Sequence, residues 1–295
     1  MDRDEVIAEL PIETWGGPFP PELQQCAVSA LEAGRVLYLP HLPFQTEPAE
    51  QHFLRPDAAG GERKNISLDP GTRELSNTAL DPADATALAA MIERFGRAAA
   101  RLVSDLIPSY AGMLERARTS FRPVEISGRQ YSIRHDDRLL HVDAFPSRPM
   151  RGRRILRLFS NIAPDGRERA WNLGEPFGDF ARKFLPRTGS ATPGSAWVME
   201  QLGITKGRRS AYDRIMLRLH DTGKQDAAYQ SSAPKVSVSF PSGSTWLCFT
   251  DQVLHAALSG HCALEQTFHL PVEAMTEPSQ APLKVLERLA GRALV

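Results

Sequence analysis

Past residue 124 the chain breaks into short segments of alternating polarity, and this pattern limits the fold more than any other feature. The segments are VEISGRQYSIRH, LLHVDAF, RILRLFSNIAP, AYDRIMLRLHDTG, KVSVSFPSGSTWLCFT, VLHAALSG and ALEQTFHLPV. Turn signals separate them at Gly128, Asp136-Asp137, Pro164-Asp165-Gly166 and Ser242-Gly243. Successive side chains of a strand point to opposite faces, so alternation marks strands that bury one face. Many short strands at this spacing predict a double-sheet antiparallel barrel of the jelly-roll kind. Within it, EPFGDFARKFLP and RRSAYDRIMLRLHDTG predict a helical insert at about 174–220.

The preceding 123 residues supply an N-terminal strand and buttressing helices. PELQQCAVSALEAG reads as a helix capped by Gly34, followed by the strand RVLYLP. Residues 45–80 are rich in Pro, Gly and Asp and predict a long surface loop. In 82–120, Leu88, Met91, Ile92, Phe95, Ala99 and Leu102 recur at helical spacing after Pro82, and Pro108 divides the segment into two helices. The tail, 276–295, is an amphipathic helix expected to dock on the core, with an interfacial membrane contact as the alternative. The class is therefore α+β, mainly β, in one domain of 295 residues.

Lys+Arg and Asp+Glu each number 35, and no aromatic-basic stacking platform occurs, which argues against nucleic acid as a partner. The basic residues are nevertheless clustered. Arg148, Arg151, Arg153, Arg154 and Arg157 form one stretch, and Lys206, Arg208, Arg209, Arg214 and Arg218 a second. Either is a solvated face or a site for carboxylates and phosphates. Cys26, Cys248 and Cys262 have neither disulfide nor zinc spacing and are expected to be small buried side chains in a reducing compartment. The acidic N-terminus lacks a signal-peptide core and no long apolar run occurs, so the expected location is cytoplasmic.

Chemistry concentrates at His141-Val142-Asp143. On a strand, His141 and Asp143 share a face, forming two-thirds of a facial iron(II) site that needs one more histidine. His220, His255, His261 and His269 are candidates. His255 is favoured, because a turn at Gly243, the strand TWLCFT and a short bend lead to it. Many enzymes with such a site use 2-oxoglutarate, whose far carboxylate takes an Arg some ten residues beyond the distal His; Glu265-Gln266-Thr267 stand there instead. Arg157 shares a strand face with Ile155, Phe159 and Asn161, and an arginine so placed needs an anion. Asn161, Gln266 and Tyr131 are candidates to complete the hydrogen bonding.

HVDAFPSRPMRGRRILRLFSNI and PSGSTWLCFTDQVLHAALSGH resemble the bacterial Kdo hydroxylase family over roughly residues 20–275. The resemblance implies a double-stranded β-helix (jelly roll, cupin-like) and His141, Asp143 and His255 as ligands of Fe(II). It further implies 2-oxoglutarate and O2 as cosubstrates. The reaction it implies is hydroxylation of Kdo at carbon 3 on Kdo-lipid A, at the cytoplasmic face of the inner membrane. Arg148, Arg151 and Arg154 would then bind the anionic glycolipid, with the tail helix allowing peripheral contact with the membrane. The alternatives are the same chemistry on another small or anionic substrate, or a non-catalytic sugar-binding barrel.

Overall fold

Two β-sheets form the frame. The computed structural model describes residues 1–61, 63–128, 132–146, 148–187 and 209–295. Its strands are β1 (Ile7–Glu9), β2 (Val36–Leu39), β3 (Ile66–Leu68), β4 (Leu75–Ser76), β5 (Glu115–Arg122) and β6 (Arg154–Asn161), followed by β7 (Arg169–Gly174), β8 (Lys235–Phe240), β9 (Thr245–Phe249), β10 (His255–Ser259) and β11 (Ala263–Leu270). The large sheet has the order β1-β2-β9-β6-β11-β5-β3-β4, and the small one β10-β7-β8. Every pairing is antiparallel except that of β1 with β2.

Where the small sheet covers the large one, the strands of the large sheet are apolar on both faces. Leu156, Leu158, Leu247, Phe249, Leu264 and Phe268 pack with the helices. Their neighbours Phe159, Trp246 and Cys248 turn the other way and meet Trp171, Leu173, Val238 and Phe240 of the small sheet. Aromatic rings join the sheets: Phe240 stacks on Trp246 at 4.1 Å, and Trp171 meets Trp246 edge-on at 5.7 Å. Such contacts each add about 1 kcal/mol beyond their buried area.

The helices are α1 (Arg3–Val6), α2 (Pro21–Glu32), α3 (Pro82–Leu106), α4 (Phe177–Phe184), α5 (Ala211–Gln225), α6 (Ala227–Ser232) and α7 (Pro282–Ala290). At the start of α3 the Asp81 carboxylate accepts the amides of Ala83 and Asp84 at 2.9 and 3.0 Å, and Pro82 fills the first helical position. Gly34, with φ +85°, ends α2 as its position suggested. The helices α4, α5 and α6 lie between β7 and β8 in sequence, which places the insert where it was expected.

Four expectations fail locally. Pro108 does end α3, but only a short 3-10 turn follows, and Glu115–Arg122 is the strand β5 rather than a second helix. The large sheet therefore draws strands from before residue 124 as well as after it. Within 45–80, β3 and β4 extend that sheet, and Ile66 and Leu68 are buried. AYDRIMLRLHDTG lies in the helix α5, as the reading of a helical insert had it, whereas VEISG forms no strand. Cys26 is exposed, whereas Cys248 and Cys262 are buried as expected.

Leu283 and Leu286 of α7 are buried in the larger core. Gly152, at φ +87°, admits Leu283, since a Cβ there would come within 2.6 Å of its Cδ2. The tail thus docks on the protein through Leu283 and Leu286, while Leu289 and Val295 are exposed. Among the described residues no helix is long and apolar enough to cross a membrane.

Arg154 differs from its neighbours in the basic stretch. It is fully buried, with Nε 2.8 Å from Asp251 Oδ2, Nη2 2.6 Å from Gln252 Oε1, and its guanidinium 3.8 Å from the Phe249 ring centre. It is a core ion pair and cannot bind a substrate. Arg154→Ala should strand the Asp251 carboxylate, and urea denaturation is expected to show a loss of about 3–5 kcal/mol.

Candidate metal centre and the cavity beside it

The segment carrying His141 and Asp143 runs extended along the edge of the small sheet as a single bridge, not as a full strand. His141 N donates to His255 O at 3.1 Å, and His255 N returns the bond to His141 O at 2.9 Å. Asp143 N donates to Thr250 O at 2.7 Å. Gln230 of α6 holds both backbone groups of Leu140, at 2.8 and 3.0 Å. Val142 points into the larger core, so alternation turns His141 and Asp143 the other way.

The ligating atoms of His141, Asp143 and His255 all lie within 4.8 Å of one another. His141 Nδ1 donates to Leu139 O at 2.8 Å and His255 Nδ1 to Val253 O at 2.9 Å. Those bonds fix the tautomer and leave each Nε2 lone pair for a metal. Trp171 stacks on His255 at 5.3 Å, while His220 of α5 stands edge-on to His141 at 5.4 Å.

Burial, then the His255 charge, pushes His141 well below its ordinary pKa, and burial also lowers His255. For Asp143, burial favours the neutral acid, but Arg157 and the two imidazoles outweigh it and hold the carboxyl well below the usual range. Two neutral imidazoles and one carboxylate suit a divalent transition metal, and three protein ligands leave positions open. The donor set fits iron(II).

Arginines on the large sheet continue the site. Arg157 Nε lies 3.2 Å from Asp143 Oδ2, and its Nη1 3.5 Å from Glu265 Oε1. Arg122 of β5 pairs with the other Glu265 oxygen. The Arg157–Asp143 contact is close but poorly aligned, so Asp143 Oδ2 and Arg157 Nε are buried without a hydrogen-bond partner. A cavity of ≈ 400 Å³ opens beside them, lined by residues including Arg118, Arg148 and His269. Glu265 occupies the place where a 2-oxoglutarate Arg was sought, and arginines from the strands on either side flank it.

The remaining candidates separate. Asn161 is committed to structure: its amide donates to Arg167 O and Phe240 O, and its oxygen accepts Ala163 N. Gln266 faces the α3 side of the sheet, accepting from Arg116 and Thr119. Neither joins the triad. Tyr131 lies outside the described residues, as do Lys206 and Arg208. Arg148 is exposed at the cavity, whereas Arg151 sits in a turn whose backbone N donates to Asp213. Arg122 and Glu265 were missed as a pair because ERARTSFR was read as helix; its alternating arginines were the available signal.

Two histidines and one carboxylate that could hold a metal ion thus stand between two sheets, with a wall bearing several arginines beside them. The sequence model of the 3-deoxy-D-manno-oct-2-ulosonic acid (Kdo) hydroxylase family matches residues 14–293. The chain belongs to that family. A crystal structure of the Kdo hydroxylase KdoO, described as a non-heme Fe(II) alphaketoglutarate-dependent dioxygenase in complex with alphaketoglutarate and Fe(III), is 46% identical. That match covers 98% of this chain and 97% of the other, with a TM-score of 0.95. A cobalt(II) complex of KdoO is 47% identical over 98% and 97% of the two chains, with a TM-score of 0.96. Among curated proteins no sequence match was found.

His141→Ala and His255→Ala are each expected to abolish stoichiometric cobalt(II) binding, read from the metal's visible absorption. His269 generates a second prediction. It is 2% exposed, and burial with Arg148 and Arg153 nearby pushes its pKa down to about 4. A depressed folded pKa means that stability present above pH ~6.5 is lost as pH falls toward ~4. Wild type should lose about 3 kcal/mol more than His269→Gln over that window in denaturant titrations.

Proposed function

We propose that the protein is an iron(II)- and 2-oxoglutarate-dependent dioxygenase that hydroxylates carbon 3 of Kdo on Kdo-lipid A. The observation that carries this reading is the triad set beside the Arg157–Glu265–Arg122 array, where Asp143 Oδ2 and Arg157 Nε face each other as an ion pair without a well-aligned hydrogen bond. The winding supports a double-stranded β-helix, since β6 and β9 lie in the large sheet, β7, β8 and β10 in the small one, and β11 returns to the large. All described elements then serve one catalytic domain.

His141, Asp143 and His255 would hold the iron. When bound, iron(II) with 2-oxoglutarate and O2 supplies the oxidant that converts a C–H bond to C–OH. Arg157 and Arg122 would take the far carboxylate of 2-oxoglutarate, a role suited to guanidinium groups in a dry pocket. Glu265 keeps both arginines aimed while the cosubstrate is absent. Trp171 blocks one side of His255, and the buried wall limits water at the reacting centre. Arg148, exposed at the mouth of the cavity, would meet anionic groups of the glycolipid. The substrate itself would bring the protein to the membrane surface, since Leu283 and Leu286 of α7 are buried in the core and, of that helix's leucines, only Leu289 is exposed.

The direct test is anaerobic iron loading followed by 2-oxoglutarate, air and Kdo-lipid A, with His141→Ala as control. A product heavier by one oxygen, absent in the control, is expected. Succinate formed without that product would retain the oxygenase and discard the sugar. For the clamp, Arg122→Met should raise the KM for 2-oxoglutarate about 100-fold while cobalt(II) binding persists.

A further inference from the structure

The wall formed by α5 contains a cation that the metal centre and cosubstrate do not use. On that helix His220 and Lys224 stand four residues apart and so share a face. His220 reaches the ring of His141, which places this face against the metal centre. Lys224 is 3% exposed, and among the described residues its ammonium makes one hydrogen bond, to Arg134 O at 3.1 Å. The carboxylates around it are engaged elsewhere: Asp137 lies 2.5 Å from Lys64 Nζ, and Asp143 belongs to the metal site and Arg157. An ammonium buried without a counter-ion of its own is costly, and burial lowers its pKa while Asp137 and Asp143 oppose that shift. The Ile133–His135 turn does not need Lys224 to hold it, because Arg134 already pairs with Asp221 of α5 at 3.2 Å.

We infer that Lys224 binds the carboxylate of the sugar and so aims the reacting carbon at the metal. The inference rests on the Kdo reading above. In a 3-deoxy-2-ulosonic acid the carboxylate is carbon 1, two bonds from carbon 3. A substrate with carbon 3 turned to the iron must therefore carry its carboxylate close to the metal, within reach of a cation on the adjoining wall. The cosubstrate's far carboxylate faces the arginines of the large sheet, while Lys224 comes from the helix beside His141. Two anions thus meet two separate cationic groups. A neutral sugar lacking the carboxylate would leave Lys224 buried and unpaired, which makes it a specificity device as well as an anchor.

The experiment compares wild type, Lys224→Met and Lys224→Arg on Kdo-lipid A and on an analogue whose Kdo carboxylate is a primary amide. Lys224→Met is expected to raise the KM for Kdo-lipid A about 100-fold with a smaller change in kcat, and Lys224→Arg to recover part of it. Wild type should suffer a similar loss on the amide. Lys224→Met should then show no further loss on that analogue, since the same contact is removed twice. Cobalt(II) titration of each variant checks that the metal centre persists. An unchanged KM in Lys224→Met, or losses that simply add, overturns the inference while leaving the Kdo reading intact. A wild type that hydroxylates neither sugar overturns that reading and this inference with it.

Discussion

A carboxylate that must stay ionised inside the protein organises this structure. Asp143 is largely enclosed, and that enclosure alone would favour its neutral form. The charge survives because Arg157 projects from the facing strand and two imidazoles stand beside it. Arg157 in turn needs Glu265, and Glu265 needs Arg122, so one ionised ligand draws residues from three adjacent strands of the large sheet onto its inner face. The candidate metal cluster and the cavity wall beside it are thus joined by one chain of charges.

The sandwich divides labour between its two halves. Where the small sheet covers the large one, Phe240, Trp246, Phe159 and Trp171 make a stacked aromatic core. Toward β11, β5 and β3 the same face is polar and opens into a cavity. The covered half supplies the packed core and the open half the cavity, and β6 spans both, with Phe159 in the first and Arg157 in the second. The other face of the sheet rests on α2 and α3. A rigid backing of this kind lets the inner face hold charges in fixed positions.

The metal triad was legible because its signal is local. His141 and Asp143 share a face by strand alternation, and His255 follows a turn and an apolar strand that must run back into the same sheet pair. The helix α3, the turn at Gly34 and the insert between β7 and β8 were readable from caps and periodicity. Strand β5 was not, because its charged residues are satisfied on both faces: Arg116 by Glu93 of α3, Arg122 by Glu265. A strand whose charges all find partners carries no apolar alternation to read. The roles first assigned to Asn161, Gln266 and Arg154 failed for a related reason, since composition shows a polar group but not which side of the sheet supplies its partner.

By itself the sequence determined which two histidines and carboxylate would cluster, the mainly β character and the position of helices between β7 and β8. These follow from nearest-neighbour geometry along the chain: alternation, turn chemistry and capping. Only the tertiary structure decided which arginine serves which anion. Arg154 and Arg157 sit three residues apart on one strand, yet one is locked to Asp251 in the core and the other faces the metal site. Charges act through space, and the residues that neutralise or expose them arrive from strands and helices a hundred positions away.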